Sequence, residues 1–570
     1  MATRQASSAE VTDRITAFLQ QPTTLSVLIS LFVILATTRL LSGNASSPKN
    51  GPRQPPSPAY WVPYLGHATG IAANYGGYLA GLRDKYPEGM FSLPILGQAH
   101  SFIYRPSLID QLRNARKPAS GPSWFSSHLL RSVFSLPYQD WEAFETMQRE
   151  HGTQFADLVS RSLEEMTGKL LRQLTTHVPD FVSFNSYPSD QMDWERVAGA
   201  DVIDDPKHGR FMEADLMELT RGFVAHAANG ATFGTDFMYN FPDFWQLLWT
   251  FNDGFGSLAL QLPAWIPWPR AQRAKVARRK LLSYAAEFHN ALDKHFEQDE
   301  SSPQWQDLDN VSPLVLQRAK LYRQYGISPQ GRAAFDLALA WELNARVDML
   351  IFWMLFELYR DPVLLEEIRE EIAPYVRVVQ PENEFSLAVW VPPKIEKLDL
   401  DGLLNRCTQF RAACVETVRL YSADWTTLRL EEDLLLKTED EAGAEGYLLK
   451  KNTFAHMLTE LHHLDPKHFP QPLSWDLGRH TTSSEKNEAG TRGITAAFAE
   501  GITISRNETL ELRQMAMFTA AIISLYDIEA PKRGTWPDPR TESAIPVRKP
   551  TQAITVWIKK KELPVEKPSK

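Results

Sequence analysis

Cysteine is nearly absent: Cys407 and Cys414 are the only two in 570 residues. They fall in one expected helix, where seven residues at about 1.5 Å each set them roughly 10 Å apart, beyond the ~7 Å that a disulfide spans. The chain therefore reads as resident in a reducing compartment. Neither thiol has a metal-ligand spacing, so both read as helix packing. The adjacent His462 and His463 diverge, which suits packing better than a metal site. A glycine-rich phosphate loop is missing. Ser505, in Gly501-Ile-Thr-Ile-Ser505-Arg-Asn, lacks the small flanking residues of a hydrolase nucleophile elbow. Positive charge is also short, since a net charge of -9 gives no general attraction to nucleic acid. One local basic run exists, Arg270, Arg273, Lys275, Arg278, Arg279 and Lys280. It reads as a solvated helix face, with a membrane-surface or electron-donor contact as the alternative.

What is present is enough apolar material for a large core, 43% of the chain. Residues 1–24 read as a short tail and 25–41, LSVLISLFVILATTRLL, as a transmembrane anchor with Arg39 at its end. Arg39, Lys49 and Arg53 follow the run, whereas Arg4 and Arg14 before it are offset by Glu10 and Asp13, so the body is expected on the cytoplasmic side. Residues 42–60 form a proline-rich linker in which Pro52, Pro55, Pro56 and Pro58 favour an extended strut. Residues 61–570 carry no repeat and no second linker of that composition, and read as one large domain. It is expected to be mainly α with small β-sheets, the strands including MFSLPIL, HSFIYR and AITVWIKKK. The segment 260–269, LQLPAWIPWP, has two readings: a loop that dips into a membrane interface, or a buried inter-helix loop.

Ser328 and Pro329 signal the start of a helix that the pattern continues to Asp361-Pro362, some 30 residues and roughly 45 Å long. Its centre holds Glu342, Arg346 and Asp348, and Glu342 and Arg346 are spaced as a same-face pair. Further on, Glu416 and Arg419 stand three apart, so that a carboxylate and a guanidinium can meet as a fork.

The order of these features carries a resemblance. The long helix, Glu416-x-x-Arg419, HHLDPKHFPQPLSWDLGR and then AFAEGITIS before another helical stretch resemble a membrane-anchored cytochrome P-450. The likeness is to fungal members and to the branch of prostacyclin synthase and sterol hydroxylases. It implies the cytochrome P-450 fold behind one N-terminal membrane helix, and an endoplasmic reticulum membrane location. It also makes Glu416 and Arg419 the buried core pair behind the haem, with Asp465, Pro466, Phe469, Asp476 and Arg479 in the segment packed against it.

The same resemblance puts the haem chemistry in doubt. Phe498 and Gly501 fit the haem loop, but Ser505 takes the position of the ligand cysteine. Ala499 and Glu500 replace glycines, Thr503 replaces a propionate partner, and Asn507 and Glu508 replace a glycine and a basic residue. In the long helix, Ala345, Arg346 and Val347 align with a small residue, a polar residue and the oxygen-activating threonine. Glu145, four places after Trp141, stands where many relatives carry a basic propionate partner. A serine hydroxyl is a poor, hard iron ligand without a thiolate's electron push, so oxygen insertion is expected to fail. The sequence continues unbroken into ETLELRQMAMFTAAIISLYDIE, as the family's next helix should.

Three functions follow as expectations. The first is non-oxidative isomerisation, cyclisation or dehydration of a lipophilic terpenoid, polyketide or sterol-like intermediate, with Arg346, Glu342 and Asp348 as catalytic polar groups and no haem. The second is a monooxygenase whose weakly bound haem is ligated by Ser505 or water, without a thiolate. The third is a non-catalytic protein that binds a lipophile or scaffolds a pathway. The partners expected are a lipophilic small molecule and the membrane, through 25–41 and 260–269. A redox partner is doubtful and nucleic acid is not expected.

Overall fold

Apolar residues recur at helical spacing over most of the chain, and the computed structural model shows helices where they do. It describes residues 22–43, 52–114, 124–259, 269–299, 303–381, 391–423, 425–437, 446–481, 507–531, 535–538, 541–542, 546–563 and 565–566. These divide into two compact units, residues 1–115 with 427–461, and residues 116–426 with 462–570.

The described part of the first unit includes helix α1 (Pro22–Leu41), whose Leu25, Val27, Ile29 and Phe32 side chains are exposed. Among the described residues no helix is long and apolar enough to cross a membrane. The helix expected there has formed; crossing a bilayer is a further step that its length and apolarity do not by themselves supply. The two expected strands are also present. Met90–Ile95 pairs antiparallel with Gln98–Ile103, and the latter pairs in parallel with Phe454–Met457. One face buries Met90, Ile103 and Ala455 against Leu108, Ile109 and Tyr447 as a small core.

The second unit is built on helices α2 (Trp141–His177), α3 (Leu216–Phe233), α4 (Pro269–Glu297), α5 (Pro329–Asn344), α6 (Val347–Arg360), α7 (Thr408–Tyr421) and α8 (Asn507–Leu525). Every residue of α6 from Val347 to Tyr359 is buried, the mark of a helix enclosed on all sides. It packs against α3, α7 and α8. Strands Tyr526–Glu529, Thr555–Lys560, Gly209–Asp215 and Asp201–Asp205 form an antiparallel sheet beside them, the second being the strand expected from AITVWIKKK.

Ser328 caps α5 as its sequence signal requires. Its Oγ accepts from the Gly331 amide at 3.1 Å, and its own amide and hydroxyl donate to the Asp140 carboxylate at 2.9 and 2.6 Å. The single long helix is corrected, however: α5 ends at Asn344 and α6 begins at Val347, with Arg346 at φ -120° between them. Asn344 supplies the cause. Its side-chain amide donates to the Ala340 carbonyl at 2.7 Å and to Asn229 Oδ1 at 2.9 Å. Side-chain donors that turn back on a helix carbonyl bend it. A second correction concerns the cysteines. Cys407 lies between helix Leu400–Arg406 and α7, and only Cys414 is inside α7. The residues between them did not fit one helix because Glu371 takes the first amides of α7, Gln409 at 3.0 Å and Phe410 at 2.9 Å, and so fixes a new start.

Candidate functional site

The break between α5 and α6 sets two buried charged residues in different directions. Arg346 reaches α8, where its Nε lies 2.8 Å from Glu511 Oε1, and its Nη2 donates to Ser422 Oγ at 3.0 Å. The side chains of this pair are only 10% and 12% exposed. Asp348, on the first turn of α6, faces α3 instead and meets Arg221 Nε at 3.2 Å. Arg221 also contacts Glu218 at 3.4 Å and lies 4.4 Å over the Trp249 ring. Burial pushes the Asp348 carboxyl up to about 6, against the pull of Arg221. Glu342 lies half-buried near the end of α5. Arg346 and Asp348, read from sequence as neighbours in one pocket, therefore have separate partners. Glu511 and Arg221 were missed, because nothing in a linear pattern assigns a partner on another helix.

Val347 and Ala345 are buried and apolar at the break. Glu145 is exposed on α2. Ser505, Phe498, Ala499, Glu500, Gly501 and Thr503 lie outside the described residues, as do Trp265 and Trp268 of the 260–269 segment. Asn507 opens α8, but its side chain and that of Glu508 also lie outside them.

Behind this region stands the core pair. Arg419 donates to Glu416 through Nε at 2.7 Å and Nη2 at 2.8 Å, and its remaining hydrogens go to the carbonyls of His463, Pro472 and Ser474. Glu416 also accepts from the Asp476 amide at 3.1 Å, and Arg479 Nε approaches it at 3.3 Å. His480, not singled out from sequence, adds Nε2 at 2.8 Å. Burial raises the Glu416 carboxyl, but Arg419 and His480 outweigh it and hold the group below its usual range. His463 is enclosed, and burial pushes its imidazole well below the usual value. Among the described residues no group of three or more His, Cys, Asp and Glu could hold a metal ion.

On α4, Arg270, Arg273 and Arg279 are exposed, Lys280 pairs with Asp243 at 2.5 Å, and Arg278 donates to the Ser132 and Val133 carbonyls. Most of the basic run is thus an exposed face, with Arg278 turned inward.

The resemblance implies a thiolate-ligated haem, and the residues present do not fit one. Cys414 lies in the core with its Sγ 3.8 Å from Met354 Sδ, and burial pushes the thiol up to about 12. Cys407 donates to the Glu371 carbonyl and is pushed up to about 11, burial again being the main cause. Both thiols are thus engaged in the packing around α7.

Comparison with known proteins places these features. Residues 55–556 match the family model described as Cytochrome P450. A cytochrome P450 monooxygenase, nodJ, of Hypoxylon pulicicidum is 21% identical over 72% of this chain and 70% of its own length. The 7-alpha-hydroxycholest-4-en-3-one 12-alpha-hydroxylase of Homo sapiens is 22% identical over 88% and 91%. The 5-beta-cholestane-3-alpha,7-alpha-diol 12-alpha-hydroxylase of Sus scrofa is 20% identical over 84% and 87%.

Proposed function

The chain belongs to the cytochrome P450 family, and on that premise we propose an enzyme that rearranges a lipophilic substrate without oxidising it. The reaction class is isomerisation, cyclisation or dehydration, none of which needs an oxidant or an electron donor. The observation that carries the reading is Arg346: a buried guanidinium beside Val347, at the positions where the resemblance puts a polar residue and the oxygen-activating threonine. A cation fixed in a dry interior polarises a carbonyl or hydroxyl and stabilises charge that develops on oxygen. Asp348, which burial pushes up to about 6, is engaged by Arg221 on α3, and Glu342 lies near the end of α5, so the reading rests on Arg346 of the three. The apolar walls of α6 would hold the substrate in a reactive conformer.

The steroid names of two relatives support a sterol-like or other polycyclic substrate. The exposed apolar side chains of α1 support attachment to the endoplasmic reticulum membrane with the body on the cytoplasmic side, and the tryptophans and prolines in the sequence of 260–269 support a second contact there. The word monooxygenase in the fungal relative's name favours a second reading, oxygenation by haem ligated through Ser505 or water.

The test is to delete the gene in its native host, isolate the lipophile that accumulates, and incubate it with purified full-length protein without a reductant. A product of unchanged mass, or lighter by one water, supports the rearrangement. A product heavier by one oxygen that forms only with a reductant supports the second reading.

A further inference from the structure

The first three turns of α4 gather positive charge in a chain whose net charge is -9, and no acidic residue occurs from Arg270 to Lys280. Ala271, Ala274, Ala277 and Leu281 form the buried face of these turns, in a helix that packs against helix Phe244–Asp253 and α5. The opposite face exposes Arg270, Arg273, Arg279 and Lys280. Val276, 61% exposed, stands among them, three residues from Arg273 and from Arg279 and four from Lys280. The carboxylates at the two ends of the neighbouring helix are already taken, Asp243 by Lys280 and Asp253 by Lys549. Among the described residues Arg270, Arg273 and Arg279 make no ion pair.

We propose that this face of α4 docks on an anionic lipid surface, with Arg270, Arg273 and Arg279 on the headgroups and Val276 at the headgroup boundary. Exposed cations are drawn to a negatively charged leaflet, and each one adds to the attraction. Those of α4 span ten residues of helix, about 15 Å, long enough for several headgroups to be met at once. A protein partner fits less well. Specific protein interfaces centre on aromatic or large apolar anchors, and this face offers only Val276. Arg278, turned inward to the Ser132 and Val133 carbonyls, and Lys280, held by Asp243, keep α4 in place instead. The face thereby selects leaflets that contain acidic lipid over neutral ones. The inference rests on the membrane attachment proposed above and is independent of the rearrangement chemistry.

The test places a fluorophore on the face through full-length Val276→Cys, the two native thiols being buried. The protein is reconstituted into vesicles of phosphatidylcholine, or of phosphatidylcholine mixed with phosphatidylserine, each carrying a lipid with a quenching nitroxide on its headgroup. The expected result is at least twofold stronger quenching in the phosphatidylserine vesicles, reversed by high salt and lost on adding Arg270→Gln, Arg273→Gln and Arg279→Gln. Should the arginine variant not fold by circular dichroism, the salt reversal in the labelled parent is read in its place. Equal quenching with both lipids overturns the proposal, and so does quenching that survives removal of the three charges. A label that stays in water with both lipids also overturns it and leaves an acidic protein as the partner of the face. Protein that floats with both vesicles but shows no lipid-dependent quenching contradicts this inference alone, whereas protein that floats with neither contradicts the membrane attachment as well.

Discussion

Glu416 and Arg419, three residues apart on α7, meet in a two-pronged contact at 2.7 and 2.8 Å with both side chains fully enclosed. Each also ties α7 to the 463–480 segment, Arg419 through three carbonyls and Glu416 through the Asp476 amide and His480. Removing one partner strands the other charge, which costs about 3–5 kcal/mol. Arg419→Ala and Glu416→Ala are each expected to lower stability to denaturant by that amount. The double variant should lose less than the sum of the two, because the second substitution no longer strands a charge. Additive losses would remove the pair from this role.

Asp348 predicts a pH dependence of opposite sign to that of a salt-bridged surface acid. Its folded value is about 6 against 3.8 for the free group. Between these values the unfolded chain has released its proton while the folded chain retains it. Stability therefore falls as pH rises from about 4 to about 6, and levels off above. The stability difference between wild type and Asp348→Asn should shrink across that window by up to about 3 kcal/mol. A difference that grows with pH would contradict the assignment.

The two thiols are expected to be inert. With Cys414 beside Met354 and Cys407 on the Glu371 carbonyl, both pushed above the ordinary thiol range by burial, the native protein should react negligibly with an aromatic disulfide reagent. In denaturant both should titrate as free thiols. Prompt native labelling of either would show a core more open than described.

Ser328 joins the start of α5 to α2 through Asp140. Ser328→Ala removes the cap and one of the Asp140 contacts, with an expected cost of about 1–2 kcal/mol. Gly331→Ala should cost a similar amount for a different reason, since an added Cβ would sit 2.5 Å from Asp140 Oδ2. Thermal denaturation of the two variants checks both, and an unchanged Ser328→Ala midpoint would show that the cap is not sensed.

Several parts of this fold were legible in sequence because they are local. The Ser328-Pro329 start, the Glu416–Arg419 spacing and the paired strands at 90–103 each depend on residues within a few positions of one another. The α5–α6 break was misread as continuous helix because its apolar pattern runs through it unchanged. Asn344 was the available signal, an amide side chain able to compete for a helix carbonyl. The candidate site was legible only in part. Arg346 and Asp348 stood out as charges among apolar neighbours, but Glu511 and Arg221 come from helices distant in sequence, and tertiary packing alone decides which charge faces which. Helix periodicity reports a residue's own face, not what lies across from it.

The central claim is that this chain keeps the cytochrome P450 fold without its haem-thiolate chemistry. The most direct measurement is the reduced carbon monoxide difference spectrum of the purified full-length protein, expressed with haem in excess. The account predicts no Soret absorbance at stoichiometric level and no thiolate-type carbon monoxide band. A stoichiometric Soret peak whose reduced carbon monoxide complex absorbs as thiolate-ligated haem would contradict it.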